Sequence, residues 1–250
     1  MMSSEFFTSW FLPAIWITIQ VLVLSTVLAF AVAVPIGILR RSRLWIVRFL
    51  AGAYFEIFRG TSALILMIWM AFAVPLLLRI QFQPMAAGVL ALGLTYGAYG
   101  SEIVRGALNA VPAAQREAGV ALSFTPMQRL RLIELPQAWP EMIPPFNNLL
   151  IELMKGTSLV SAISVADMTF AGNLLRQAKN ESAPSFTLLL VLYFVLAFIL
   201  TRGMRMLERR AKAKVGRSPE KKVLFGGLRS KGQVDALTGS GVTTGTGADK

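Results

Sequence analysis

Long stretches without a charged residue dominate this chain. The first runs from Phe6 to Leu39, and later ones run from Gly60 to Leu78, from Ile80 to Ser101 and from Ser182 to Thr201. A run of about 20 apolar residues forms a helix long enough to cross the hydrocarbon core of a bilayer. Apolar residues make up 55% of the chain and charged residues only 15%, which is too apolar for an ordinary soluble domain. The sequence therefore predicts an all-α integral membrane protein.

A further apolar stretch, from Met142 to Ala166, is interrupted by Pro144-Pro145, by Glu152 and by Lys155. Such residues are tolerated at membrane depth only where the backbone is buried in protein or lines a wet cavity. We interpret this stretch as a fourth, broken span that comes before the last one. The sequence thus predicts about five transmembrane helices.

The arginines and lysines are distributed unevenly between the two sides of the predicted spans. They follow the first span, surround residues 109–138 and fill the region after the last span: Arg40, Arg41, Arg43, Arg48, Arg105, Arg116, Arg129, Arg131 and the basic residues from Arg202 to Lys222. Basic residues accumulate in cytoplasmic loops. The pattern predicts an outward-facing N-terminus and a cytoplasmic C-terminus. It also explains the net charge of +12, so we expect the lipid bilayer and no nucleic acid as a partner.

The composition also limits the chemistry. The chain has no cysteine and no histidine, which excludes disulfides, thiol catalysis and histidine-based metal sites. We expect no catalytic residue, no metal and no cofactor. From about residue 216 onward the chain consists largely of glycine, serine, threonine and lysine. This composition cannot bury a core, so we predict a membrane domain over residues 1–215 and a disordered cytoplasmic tail over 216–250.

Residues 109–138 are predicted to form a compact helix–turn–helix on the cytoplasmic side. Pro112 suits the first turn of a helix, and Ala114, Ala118 and Ala121 recur at helical spacing. Ser123-Phe124 ends that helix. Thr125, Pro126 and Gln128 then form a capping box that starts a second helix. We expect the second helix to stop near Leu135, because Pro136 cannot continue it.

This segment resembles the EAA loop of ABC importer permeases. The family pattern is Glu-Ala-Ala, three residues, Gly, nine residues, Ile, one residue and Leu-Pro. The matching positions here are Glu117, Ala118, Ile133, Leu135 and Pro136. Gly119 stands where the second alanine is usual, and Ser123 stands where the glycine of the turn is usual.

The resemblance implies a role in coupling for the 109–138 segment. It implies that an ABC ATPase subunit docks on the segment, with the contact made by Glu117, Ala118, Leu122, Ser123, Leu135 and Pro136. It further implies a periplasmic or lipoprotein solute-binding protein, and a second permease that is either another copy or a homologous chain. The expected location is the bacterial inner membrane, crossed several times.

Three similar tetrads place acids and bases near the ends of the predicted spans. They are Glu56-Ile-Phe-Arg59, Glu102-Ile-Val-Arg105 and Glu152-Leu-Met-Lys155, each followed by glycine. The spacing puts an acid and a base on one helix face, and pairing stabilises charges in a medium of low dielectric constant. Such tetrads either line a translocation pathway or are self-neutralised pairs at the membrane interface. For the first tetrad we favour the second interpretation, whereas the other two leave both open.

The same segments resemble those of polar-amino-acid permeases. Phe58-Arg59-Gly60-Thr61 is similar to their Phe-Arg-Gly-Thr-Pro segment, and Lys155-Gly156-Thr157-Ser158 to their Lys-Asp-Thr-Ser, with Gly156 replacing the acid. The resemblance implies import of a polar amino acid or a related zwitterion such as a compatible solute. Candidate residues of the pathway are Glu102, Tyr99, Glu152, Lys155, Thr157 and Ser158, with Glu102 the best candidate for contact with an ammonium group.

Two other classes of protein fit the sequence less well. The chain has no Walker-A glycine loop, so ATP hydrolysis is expected in a separate subunit and the chain itself is not expected to be an enzyme. An intramembrane enzyme would need a polar catalytic cluster, for which the chain has few suitable residues. A secondary transporter often has more spans or an inverted repeat, and it would not need the 109–138 segment.

Overall fold

The computed structural model describes residues 7–180 and 182–214, and every regular element within those ranges is helical. The helices are α1 (Leu12–Leu39), α2 (Trp45–Gly60), α3 (Ala63–Ile68), α4 (Val74–Leu78), α5 (Pro84–Asn109), α6 (Ala113–Ala121), α7 (Pro126–Arg129), α8 (Leu135–Gly156), α9 (Met168–Lys179) and α10 (Ser182–Lys214). Wider π turns precede α1 and join α3 to α4 and α7 to α8, and a 3-10 helix continues α8 over Thr157–Ile163. The all-α prediction is confirmed for this part of the chain. The tail predicted for residues 216–250 lies outside it.

Two helical stretches are long and apolar enough to cross a membrane, Ser9–Leu39 and Ser182–Arg210. Two more crossings arise if each of two bent helix pairs forms one span: Trp45–Gly60 with Ala63–Leu78, and Pro126–Ile163 with Met168–Lys179. Helix α5 begins at Pro84 and covers most of the span predicted from Ile80 to Ser101, but it is not among the stretches that are apolar enough to count as crossings. The total of five spans stays a prediction.

Helix α1 buries one narrow face made largely of small residues. Its buried positions recur every three or four residues and include Thr18, Ser25, Ala29, Ala33 and Gly37. This is the spacing at which helical side chains share a face. Small residues there allow the backbone of a neighbouring helix to approach closely.

Helix α5 is that neighbour, and it runs parallel to α1. Gly93 lies against Leu28, and further along both helices Gly37 lies against Val104. A Cβ atom added at Gly37 would be 2.7 Å from the carbonyl oxygen of Ser101. The contact is therefore so close that only glycine fits at position 37 without displacing the backbone.

Helix α8 packs antiparallel to α5, because Gly100 of α5 lies against Phe146 while Gly156 of α8 lies against Tyr96. Helix α10 runs parallel to α1: Ala14 shares a cluster with Leu188, and Leu22 and Ala29 share one with Leu196 and Leu200. Hence α1, α5 and α10 run in one direction and α8 in the other.

Helix α2 meets the helical stretch Ala63–Leu78 at 99°. Within the predicted second span, Gly60 is the last residue of α2 and the apolar helix begins at Ala63. The side of α2 with Phe55 faces the core, and the Tyr54 hydroxyl donates to the carbonyl of Leu94 on α5 at 2.7 Å. Hydropathy alone did not reveal this helix, because charged residues interrupt its apolar face.

The prediction that Pro136 ends the second helix of the 109–138 segment is wrong. Winding continues without a break from Pro126 to Ile163. The π turn Leu130–Glu134 widens the helix just before the proline, and the Leu135 N–H bonds to the carbonyl of Leu130. Pro136 follows this wider turn directly, and the altered hydrogen-bond pattern of a π turn accommodates a residue without an N–H inside a continuous helix.

The fourth span is bent, but not where the two prolines predicted. Helix α8 passes through Pro144 and Pro145, and packing of Phe146 against Gly100 of α5 supports it there. Regular winding ends at Ile163, and Ser164 takes a left-handed conformation with a φ of 63°. The following helix, α9, leaves at an angle of 55°.

Candidate functional site

The 109–138 segment is built around a tight turn at Ser123. This residue has a φ of 58°, a conformation in which glycine is favoured. The Phe124 N–H closes the end of α6 by bonding to the Gly119 carbonyl at 3.0 Å. The predicted capping box is confirmed: Thr125 accepts from the Gln128 N–H, and the Gln128 side chain accepts from the Thr125 N–H. The turn thus forms with serine in the position where glycine is usual.

Gly119 explains how closely the two arms of the segment pack. A Cβ atom at this position would be 2.7 Å from Cδ1 of Ile133 and 3.0 Å from Cγ of Arg129. The absence of a side chain lets α6 lie directly on the π turn that follows α7. Glycine at the place of the usual second alanine therefore belongs to the packing of this chain.

Four large apolar side chains of the segment are exposed. Val120 is 57% exposed, Leu122 66%, Met127 56% and Leu132 62%. We call these four residues the apolar patch. Five of the six predicted contact residues are exposed, and the sixth, Leu135, is partly buried. The five are Glu117, Ala118, Leu122, Ser123 and Pro136. A patch of large apolar side chains on a polar helix–turn–helix is typical of a surface that another protein covers.

Three ion pairs connect arginines at the end of α1 and on α5 to Glu102 and Glu134. Arg41 Nη1 donates to Glu134 Oε2 at 2.6 Å, and Arg40 Nη1 donates to Glu102 Oε2 at 2.7 Å. Arg105 also pairs with Glu102, which is one of the two interpretations that the sequence left open for this tetrad. Glu102 therefore accepts from two guanidinium groups, one of which comes from the end of α1.

Within the described part of the chain, the other two tetrads do not close into ion pairs. Helix α2 ends at Gly60 and helix α8 at Gly156 after their tetrads, whereas α5 continues past Gly106 to Asn109. A cavity of about 510 Å³ brings the first two tetrads together. It is lined by Arg40, Phe55, Glu56, Arg59, Tyr99, Glu102, Ile103 and Arg105. The structure thus gathers polar groups of α2, α5 and the end of α1 at one place.

The third tetrad lies elsewhere along α8. Glu152 and Lys155 are exposed, and Ser158 donates to the Lys155 carbonyl at 2.8 Å. Thr157 is fully buried and donates to the Met154 carbonyl at 2.6 Å. Tyr96 connects the two regions, because its hydroxyl donates to the Glu152 carbonyl at 3.0 Å and its ring lies against that of Tyr99. Over the described residues, no group of three or more acidic side chains could hold a metal ion.

The family described as "Binding-protein-dependent transport system inner membrane component" matches residues 25–213. The chain belongs to this family. It is a multi-pass membrane protein and a permease subunit of an ABC transporter.

Curated relatives extend over most of the permease. The probable amino-acid ABC transporter permease protein y4tF of Sinorhizobium fredii is 43% identical over 198 residues, which covers 77% of this chain and 83% of the relative. The L-cystine transport system permease protein TcyB of Bacillus subtilis is 32% identical, covering 78% of this chain and 84% of the relative. The glutamine transport system permease protein GlnP of Escherichia coli K12 is 32% identical, covering 67% and 77%.

Solved structures share the fold of the permease. An amino acid ABC transporter crystallised with histidines superposes with a TM-score of 0.75 at 24% identity, over 82% of this chain and 95% of that chain. The MetNI methionine ABC transporter in an inward-facing conformation gives a TM-score of 0.71 at 22% identity, over 84% and 99%.

Sequence reasoning missed a buried polar cluster at the other end of the permease. Asp167 caps α9 by accepting from the Phe170 N–H at 3.0 Å, and it also contacts the Tyr193 hydroxyl. The Thr18 hydroxyl of α1 accepts from the Met168 N–H at 3.0 Å. An aspartate directly before a helical pattern is a recognisable cap. The contacts of this cluster with α1 and α10, in contrast, had no local signal.

Proposed function

We propose that this permease subunit imports a polar amino acid or a related zwitterion, such as a compatible solute, into the cytoplasm. Support for the substrate class comes from the names of the relatives, which refer to amino acids, L-cystine and glutamine. The observation that carries the ATP-driven mechanism is the exposed apolar patch on the 109–138 segment.

The 109–138 segment docks an ABC ATPase subunit in this proposal. Ala118 and Leu122 enter a groove on the ATPase, and Glu117 meets a basic or polar group there. Ser123 sets the turn between the arms, while Leu135 and Pro136 lie where the segment passes into α8. ATP hydrolysis takes place in the docked subunit, and its movement reaches the membrane helices through this segment.

The proposal includes five spans in the bacterial inner membrane, with the N-terminus outside and the C-terminus in the cytoplasm. The alternating directions of the helices support this arrangement. Helices α1, α5 and α10 run in one direction. The chain therefore crosses the membrane in the opposite direction through the stretch Ala63–Leu78 and through helix α8. The other partners are a solute-binding protein outside and a second permease, either a copy or a homologue.

The substrate pathway is proposed to pass the polar groups of α5 and α8. Tyr99 and Glu102 belong to the cavity of about 510 Å³. Glu152 and Lys155 are exposed on α8, with Ser158 beside them. Thr157 shapes this pathway from within the core, since its side chain is fully buried.

Combined substitutions separate two roles for Glu102. If Glu102 contacts the substrate's ammonium group, Glu102→Gln should abolish uptake of a zwitterionic amino acid whether or not Arg105 is also changed to Gln. If its role is pairing alone, the double variant with Arg40→Gln added, because Arg40 shares the carboxylate, should recover much of the uptake that Glu102→Gln alone loses. The measurement is uptake by the reconstituted complex. Recovery in the combined variant would contradict contact with the substrate.

The substrate class is tested with the complete complex in proteoliposomes. We expect ATP hydrolysis to rise when the binding protein is loaded with a polar amino acid or a compatible solute. Sugars and hydrophobic amino acids, as matched controls, should leave ATP hydrolysis at its basal level. Stimulation by sugars alone would refute the amino-acid class while leaving the ATP-driven mechanism intact.

A further inference from the structure

The end of α1 carries two consecutive arginines that reach different parts of the permease. Helix α1 ends at Leu39, followed directly by Arg40 and Arg41. Arg41 donates to Glu134, between α7 and α8, at 2.6 Å. Arg40 donates to Glu102, on α5, at 2.7 Å. One helix end therefore contacts both the 109–138 segment and the central helix α5.

The pair of Arg41 and Glu134 is well shielded from water. The Glu134 side chain is 11% exposed and that of Arg41 20%. An exposed ion pair contributes little, but removal of one partner of a buried pair leaves the other charge without compensation. Among the described residues, Arg41 is the cation that forms an ion pair with Glu134.

Glu134 also lies close to the apolar patch in the chain. Leu132 of the patch and Glu134 belong to the same π turn, Leu130–Glu134. Less than one helical turn therefore separates Glu134 from the apolar patch. The ion pair continues this path to Arg41, and the preceding residue, Arg40, bonds to Glu102.

We infer that Arg41 and Glu134 are positioning residues that transmit movement of the ATPase-docked segment to α1 and, through Arg40 and Glu102, to α5. The inference rests on the proposed docking function of the 109–138 segment. It adds a second route into the membrane helices beside the direct continuation of the segment into α8.

The test compares charge reversals in the full complex with its ATPase and binding protein. Arg41→Glu and Glu134→Arg should each lower the amount of substrate imported per ATP hydrolysed by roughly fivefold or more, the usual size of coupling between sites. The exchange of both charges should restore most of that ratio. Arg48→Glu is the matched control, because Arg48 is exposed on α2 and has no ion-pair partner within the described residues. The control should keep the ratio of the original chain.

Co-purification of the ATPase subunit is measured on the same samples. We expect the subunit to stay attached in both single variants, since the apolar patch is unchanged. An unchanged transport ratio in both singles would overturn the inference. Loss of the ATPase subunit from the single variants would also overturn it, because the pair would then serve attachment. So would a double variant with exchanged charges that does not recover the amount of substrate imported per ATP hydrolysed.

Milder variants keep the test decisive if a reversal prevents folding. Arg41→Lys and Glu134→Asp retain the charges but shorten their reach, and we expect a ratio between those of the reversals and the original chain. An unaltered ratio in both would count against transmission. A separate result would show that the proposed docking itself is wrong. In that case a variant of the apolar patch such as Leu122→Asp would still bind the ATPase subunit normally.

Discussion

Leu122→Asp is expected to abolish ligand-stimulated ATP hydrolysis and uptake while leaving the permease folded in the membrane. The Leu122 side chain is 66% exposed, so the substitution removes little packing within the chain. In a docked complex the new carboxylate would lose its water inside an apolar groove. Loss of a residue at the centre of an interface can cost about 2 kcal/mol or more of binding free energy. The ATPase subunit should therefore dissociate from the purified complex.

Glu117→Lys provides an independent change on the same surface, and we expect it to uncouple transport as well. Asn109→Asp is a suitable control, because it adds a negative charge at the start of the segment, away from the apolar patch. The measurements are membrane content of the permease, co-purification of the ATPase and uptake. Full stimulation and uptake in both Leu122→Asp and Glu117→Lys would refute docking by this segment.

Gly37→Ala is expected to lower the thermal midpoint of the permease in detergent more than Gly93→Ala does. The new methyl group would lie 2.7 Å from the backbone oxygen of Ser101, which cannot move aside alone. Overpacking of a core contact costs about 1–3 kcal/mol. At Gly93 the obstacle is the flexible side chain of Leu28, so alanine at that position should have a smaller effect.

Gly106→Ala is the matched control on α5, since no atom lies within 4 Å of a Cβ added there. Alanine also favours the helix over glycine, so the midpoint should stay the same or rise. The three variants are compared by thermal unfolding under one detergent condition. Equal thermal midpoints for Gly37→Ala and Gly106→Ala would contradict the prediction, because they would show that α1 and α5 can move apart to accept the methyl group at little cost.

The features that the sequence predicted correctly depend on local patterns. Uncharged runs predicted the all-α class, and the capping box at Thr125 follows from residues within one helical turn. Helix α2 was missed because its arginines and glutamate interrupt the apolar run. The fate of Pro136 depends on a π turn, which the identity of the proline does not reveal.

The contacts that organise the candidate site depend on the fold instead. The i,i+3 spacing placed Glu102 and Arg105 on one helix face and left their pairing as one of two interpretations. It could not predict that Arg40 shares the same carboxylate, or that Arg41 reaches Glu134, because these partners are far apart in the chain. Such pairs become visible only when α1 lies beside α5 and the 109–138 segment.

The close contact of Gly156 with Tyr96 has a consequence for how sequences of this kind can vary. A Cβ atom at position 156 would lie 2.9 Å from the Tyr96 hydroxyl, and that hydroxyl already bonds to the Glu152 carbonyl. Any side chain at position 156, including the acid of the similar Lys-Asp-Thr-Ser segment, therefore requires the Tyr96 hydroxyl to shift and strains its hydrogen bond to Glu152. A chimera that takes α8 from a permease with a side chain at position 156, but keeps the α5 of this chain, would bring the two groups together. Positions 96 and 156 therefore have to be exchanged together when helices are swapped between permeases.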